Sequence, residues 1–512
     1  MNSNNTSIGT NLTSIDYFSS QQPFINEFKS SNAWITQSDN KWNTQQENLL
    51  DLDENGWVKS LPKGGAGYDR VGALLYAGHD SNLPGKYVIL YEGEGNIEYS
   101  LDATKIEDLS SPGRDVIEVD PSKEGIGLSI TSTDPNQNGN YIKNIKVTPE
   151  AYESKVNSQT FNPEFLDKIR PMDTIRFMDW METNGSEKKD WSNRPEKNDA
   201  VYSSNYGAPV EIMVELANQT NTDPWFNIPH QASDEYVNNF ANYVKNNLNS
   251  NLNVYVEYSN EVWNSRFEQN KWAKQQAQKE WGNSNLDSQD WYSRRTTEVV
   301  GIWDDVFGGS SRVVGVMAAQ AANSQTGIEA LEYEWSNGSL THSDTGIDAI
   351  AIAPYFGRYM GKSTNQNTLK NWANDSGSGL NNLFKEITEG GLLNNSPEGG
   401  ALNEAYQNME AYAQIAQEEG LQLLAYEGGQ HLAGVGGVLN DEAITDLFIE
   451  ANRDSRMGQI YADYLQEWSK LGGDSFVHYS DIRSHNKWGS WGSLESVYED
   501  SSPKYNAIIN SI

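Results

Sequence analysis

Val254-Tyr255-Val256-Glu257-Tyr258-Ser259-Asn260-Glu261-Val262-Trp263-Asn264 begins as a strand and ends on an amide beside a carboxylate. Its first five residues are β-branched or aromatic apart from Glu257, and such side chains suit a pleated, half-buried surface. The same arrangement returns at Leu421-Gln422-Leu423-Leu424-Ala425-Tyr426, which runs into Glu427-Gly428-Gly429. Similar runs occupy 174–178, 210–214, 312–316, 347–353 and 475–479. Amphipathic segments lie between them: 233–248, opened by Ser-Asp-Glu as an N-cap with first-turn acids, then 287–307, 402–419 and 441–471. Strand–helix alternation from about Phe161 onward is the pattern of a parallel α/β fold.

Those seven strands need an eighth to close. The stretch 9–12 supplies it, and 24–34, with Phe24, Phe28 and Trp34, reads as the helix that follows. Between about 50 and 149 the period changes to short alternating strands broken by Gly, Pro, Asn and Asp, the pattern of a small β-sandwich. The expectation is a (β/α)8 TIM barrel, class α/β, with a β-sandwich inserted near the N-terminus. Residues 1–48 would hold the first strand and helix, 49–150 the insert, and 151–512 the rest of the barrel. An N-terminal β-domain ahead of the barrel fits the same pattern. Eight strands favour a closed barrel over an open sheet, and neither GxGxxG nor GxxxxGK[ST] occurs to suggest nucleotide binding.

Composition narrows the partners. The chain has 512 residues, a formal net charge of -34 and a pI near 4.5. Such a surface repels nucleic acid and anionic membranes at long range. No apolar run reaches the roughly 18 residues that a membrane-spanning helix needs. There is no cysteine, which excludes disulfides and thiolate metal sites and is compatible with export from a bacterium. The opening Met1–Asn5 has no basic start or apolar stretch, so it reads as a mature or engineered start of a secreted, extracellular protein lacking its signal peptide. The acidic segment 51–56 has part of a calcium-loop pattern but not all twelve positions. With 16 Trp and 26 Tyr the chain carries many amphipathic rings, on which sugars stack. The expected partner is a polysaccharide or oligosaccharide, bound by a monomer.

In a parallel barrel, chemistry sits where strands end at the C-terminal face. Counting 9–12 as the first strand, Glu261 follows the fourth and Glu427 the seventh, across the mouth from each other. Two facing carboxylates are what glycosidic cleavage requires: one protonates the leaving oxygen, and the other attacks carbon or activates water. A separation of about 5–5.5 Å gives retention and about 6.5–9.5 Å inversion. No metal or organic cofactor enters this chemistry. His230 and His431 follow the third and seventh strands with no HExxH spacing, so substrate hydrogen bonding or a structural role is expected of each. The segment 225–230 reads as a cleft wall led by Trp225, and Asp179 and Trp180 as lining of the same groove. Trp180, Trp191, Trp225 and Trp263 point to an open groove for a polymer rather than a pocket for a disaccharide.

Asn-Glu ending the fourth strand, with Glu ending the seventh, resembles the clan A glycoside hydrolases, the superfamily of many cellulases, mannanases, xylanases and β-galactosidases. The resemblance spans the barrel and not the β-insert. It implies a retaining hydrolase of β-linked polysaccharide with Glu261 as acid/base and Glu427 as nucleophile. It further implies that Asn260 bonds the sugar 2-hydroxyl, Arg176 orients the nucleophile and Tyr355 bonds it. It also implies a Trp after the eighth strand as floor of the catalytic subsite, Trp488 in preference to Trp491. The segments 258–264 and 426–431 are also similar to bacterial proteins labelled cellulose-binding. A non-catalytic carbohydrate-binding protein on a hydrolase-like barrel is the competing reading. A serine esterase is disfavoured because GxSxG is absent.

Overall fold

Eight parallel strands close into a barrel in the computed structural model, which describes residues 6–62, 67–78, 83–122, 124–204, 206–282, 286–309, 311–333, 342–375 and 377–511. The reading of Met1–Asn5 lies outside these residues. In chain order the strands are β1 (Ser7–Asn11), β2 (Thr174–Arg176), β3 (Asp223–Ile228) and β4 (Val254–Tyr258). They continue with β5 (Val313–Ala318), β6 (Ile347–Ile352), β7 (Gln422–Ala425) and β8 (Ser475–His478). Closure occurs at β1, where Gly9 pairs with Thr174 on one side and Val477 on the other. A Cβ on Gly9 would sit 2.5 Å from the Thr174 carbonyl oxygen, so only glycine allows this approach.

The third strand is not Val210–Val214, as the sequence suggests. That run is the start of α1 (Val210–Thr220), which follows Pro209 and ends at left-handed Asn221. Seven of its eleven residues are buried, and a helix buried on most sides loses the one-sided period that separates helix from strand. The true third strand reads Asp-Pro-Trp-Phe-Asn-Ile, a poor β composition. Each of its polar side chains finds a partner: Asp223 accepts from the Asn253 amide at 2.9 Å, and Asn227 Nδ2 donates to Glu257 at 2.8 Å. The segment 441–471 is two helices, Glu442–Arg453 and Ser455–Lys470, because Asp454 between them caps the second through the Arg456 amide at 2.9 Å.

The expected helix at 24–34 is a single 3-10 turn, Glu27–Ser30, followed by a strand at Ile35–Gln37. That strand pairs antiparallel with Arg70–Leu75, so antiparallel structure begins ahead of position 49. Two four-stranded antiparallel sheets follow, each with its own order. Val71, Leu128 and Ile130 of one sheet share a buried cluster with Ile89, Ile117 and Val147 of the other. The acidic segment 51–56 forms a hairpin turn. Asp53 accepts from the amides of Asn55 and Trp57, each at 2.9 Å, and from the Tyr141 hydroxyl at 2.7 Å, while Asp51 pairs with Lys59 at 2.8 Å.

Side chains inside the barrel include Trp225, Tyr255, Val316, Ala351, Leu424 and Tyr426, filling it as packed layers rather than leaving a pore. A larger cluster fills the space between strands and helices. Among the described residues no helix is long and apolar enough to cross a membrane.

Candidate active site

At the end of β4 the chain turns abruptly: Ser259 (φ 61°) and Glu261 (φ 41°) are both left-handed non-glycine residues. Such backbone costs on the order of 1–3 kcal/mol per residue and persists only where surroundings enforce it. Here the Ser259 amide donates to the Ile228 carbonyl at 2.8 Å, and the Asn264 amide to the Glu261 carbonyl at 2.8 Å. The Glu261 carboxylate then accepts from Asn264 Nδ2 at 2.8 Å and from the Tyr426 hydroxyl at 3.2 Å.

Tyr426 comes directly after β7, and Glu427 follows it. One Glu427 oxygen accepts from Arg176 Nη1 at 3.0 Å, the other from the Tyr355 hydroxyl at 3.0 Å. Gly428 is required next: a Cβ there would lie 2.3 Å from the Phe476 ring. The two carboxyl groups thus come together from the ends of β4 and β7, with the Tyr426 hydroxyl bonded to Glu261.

Arg176 is fully buried and joins four strands. Its Nε and Nη2 hold Glu257 of β4 at 3.0 and 3.1 Å. Its Nη1 reaches Asn11 Oδ1 of β1 at 2.9 Å as well as Glu427, and its Nη2 reaches Asn260 Oδ1 at 2.9 Å. All five guanidinium N–H groups are used. Glu257 in turn accepts from Trp225 Nε1 and Asn227 Nδ2, both at 2.8 Å. Asn11 donates to the Tyr426 carbonyl at 2.9 Å.

The two carboxyl groups sit in different fields. Burial first, and then the Glu427 charge, push Glu261 up to about 7. Burial also lifts Glu427, but Arg176 and the Tyr355 hydroxyl oppose that lift. Glu427 thus has a cation and a phenol beside it that favour its charged form, whereas Glu261 has a phenol and an amide.

The aromatic wall around Glu427 consists of Tyr355, His431, Tyr479 and Trp491. Trp491 stands edge-on to His431 with ring centres 4.8 Å apart and to Tyr355 and Tyr479, each at 5.9 Å. Burial lowers His431 to about 4, so it is neutral, and among the described residues its Nδ1 has no partner. Beyond Tyr479, whose hydroxyl donates to Asp179 at 3.4 Å, the Asp179 carboxyl is pushed by burial to about 6.

The structure thus gathers Glu261, Glu427, Asn260, Arg176, Tyr355, Trp491 and His431 at one mouth. Trp488 does not join them: it is 59% exposed, and its contact to the site is its carbonyl, which accepts from Trp491 Nε1 at 2.9 Å. Trp491, not Trp488, is the ring at the site. Trp225 is strand three itself rather than a cleft wall, stacked on Tyr255 at 5.2 Å inside the barrel. Trp180 is fully buried, bonded to the Thr13 carbonyl at 3.0 Å and stacked on Phe165, so it packs the core and lines no groove. His230 is buried beside Trp272, held neutral with its ring pushed to about 4. Asn11 escapes the sequence reading, and Glu257, which as a mid-strand residue reads as structural or facing the helices, is turned into the barrel onto Arg176. Strand alternation could have found Glu257, since it shares the inward face with Tyr255.

No protein-family model and no curated protein sequence matches this chain. Among solved structures it is similar to a Clostridium thermocellum endo-1,4-β-D-xylanase, a carbohydrate-binding and a family 10 hydrolase module complexed with xylohexaose. That alignment covers 96% of this chain and 96% of that chain at 11% identity, with a TM-score of 0.38. A Bacteroidetes-affiliated family 5 cellulase aligns over 68% of this chain and 84% of its own, at 8% identity and a TM-score of 0.39. A family 5 broad-specificity endoglucanase from Clostridium acetobutylicum aligns over 70% and 92%, at 12% identity and a TM-score of 0.36.

Proposed function

We propose that this chain is a retaining glycoside hydrolase of the clan A type that cuts β-linked polysaccharide internally. The observation that carries the reading is the asymmetry of the two carboxyl groups: Glu427 is held by a guanidinium and a phenol, whereas Glu261 is held by a phenol and an amide and is pushed to about 7. Glu261 gives its proton to the departing glycosidic oxygen while Glu427 attacks the anomeric carbon, forming a glycosyl ester. Glu261, now a base, takes a proton from water as that water's oxygen displaces Glu427. Asn260, aimed by Arg176, bonds the sugar 2-hydroxyl, and Trp491 floors the subsite. The reaction uses no cofactor. The acidic, cysteine-free chain works outside the cell as a monomer, and the two antiparallel sheets form a β-sandwich domain seated beside the barrel.

Reducing-sugar release from a panel of plant and algal polysaccharides tests this, with wild type, Glu427→Ala and Glu261→Ala compared. Wild type should cut at least one polymer and Glu427→Ala none. Glu261→Ala should retain turnover only of aryl glycosides with good leaving groups. NMR of the first product should show the substrate's anomeric configuration. Binding without release across the panel would instead favour a non-catalytic carbohydrate-binding protein.

A further inference from the structure

The loop after β2 opens a path away from the two carboxyl groups. It lines a groove of about 560 Å³ whose inner end is Glu182 and Asn184 and whose outer end is Asp199 and Tyr206. The inner end abuts the catalytic mouth: Asn184 Oδ1 accepts from Asn260 Nδ2 at 3.0 Å, next to Glu261. At the outer end, Asp199 and Tyr206 also form one wall of a recess of about 160 Å³. Its other wall is Trp34, Leu50 and Leu52 of the antiparallel region.

That junction is built rather than incidental. The Ala200 amide donates to the Asn55 carbonyl and the Tyr202 amide to the Lys29 carbonyl, each at 2.8 Å. Lys29 Nζ donates to the Asp199 carbonyl, and the Ser203 hydroxyl donates to the Ser31 carbonyl. The loop is thereby fixed to the antiparallel region while the Tyr206 ring stays 43% exposed. A large ring left in water on a pinned loop, above an apolar recess, is a departure from how a merely structural contact would be buried.

We infer that groove and recess form one track for a neutral glycan chain, with the recess as a subsite remote from Glu261 and Glu427. Sugar rings present C–H faces to Tyr206, Leu50 and Leu52, and hydroxyls to Asn55 and Asp199, the mix of apolar wall and few polar groups that fixes a ligand. The carboxylates of Glu47 and Asp199 at this recess, on a chain of net charge -34, select against a polyanionic glycan. The inference takes its ligand class from the hydrolase reading above. It makes the antiparallel region part of the substrate path.

Native affinity electrophoresis tests the track with Glu427→Gln protein, which binds without cutting. Four probes serve in separate gels: hydroxyethylcellulose, arabinoxylan, galactomannan and laminarin. At least one should retard the protein, and adding Tyr206→Ala with Leu52→Gln should weaken that retardation about fivefold, the scale of one lost ring contact. A second pair, Leu50→Gln with Asn55→Ala, should do the same, which separates loss of the subsite from a local folding fault. Retardation untouched by both pairs overturns the inference, as does no retardation by any of the four polymers. Reducing-sugar release by wild type from the same polymers distinguishes the two readings. Cutting with recess-independent binding removes the track and leaves the hydrolase. Recess-dependent binding without cutting does the reverse.

Discussion

Arg176 has no donor left over, so each of its partners depends on it. Replacing it with Met leaves Glu257 buried without a counter-charge and Glu427 without its guanidinium. Breaking a buried pair in this way costs about 3–5 kcal/mol, and urea denaturation at pH 7 should show a loss of that size. Tyr355→Phe removes one bond to the Glu427 carboxylate. Activity on the polymer that wild type cuts should fall about tenfold in kcat/KM, since a hydrogen bond to a charged group is worth about 1.5–3 kcal/mol, and the acidic limb of the pH profile should move upward. Glu261 carries a sign of its own. Its pKa is raised from 4.5 to about 7 in the fold. Its contribution to stability is therefore full below about 4.5 and is lost as pH rises through about 7. Glu261→Gln, which cannot ionise, should gain melting temperature relative to wild type at pH 8 and not at pH 4.5. A gap that does not change with pH would contradict the raised pKa.

At the scale of strands and loops, the sequence is most readable where residue chemistry and position coincide. Glu261 and Glu427 can be found because each lies within three residues of the end of a run rich in β-branched, aliphatic or aromatic residues. Arg176 and Tyr355 are placed by the family resemblance alone, which assigns roles to an Arg on strand two and a Tyr after strand six. The reading fails where burial removes periodicity: Val210–Val214 looks like a strand because α1 is enclosed on most sides, and β3 hides behind Asp, Pro and Asn that its neighbours satisfy. It also fails in the loop after β8, where nothing in the order of residues tells which of Trp488 and Trp491 turns inward. Asn11 is invisible because one polar residue at a strand end carries no pattern. The glycines after Glu427 belong to this scale too. Gly428→Ala would force a methyl against Phe476 and the Tyr464 hydroxyl. Overpacking of this kind costs about 1–3 kcal/mol, and it would displace Glu427 as well. The variant should melt lower and lose more activity than its stability loss accounts for, measured at a temperature where both proteins are folded.

Over the whole molecule, charge is the dominant bias: 71 acidic against 37 basic residues. Like-charge repulsion at this density opposes the compact state and is screened as the Debye length falls from about 30 Å at 0.01 M to about 3 Å at 1 M salt. Melting temperature should therefore rise with sodium chloride over that range. A flat or falling curve would mean that paired surface charges outweigh the excess. Within this acidic body, Arg176 has a consequence for how the molecule can diversify. A planar group of fixed dimensions touches the strand that bears Glu261 through Glu257 and Asn260, and touches Glu427 directly. It works as a gauge block: the spacing of Glu427 from the end of β4 is fixed by one rigid guanidinium, not by the lengths of the loops around it. Loops at the mouth are then free to be rebuilt while the geometry beneath them is inherited unchanged.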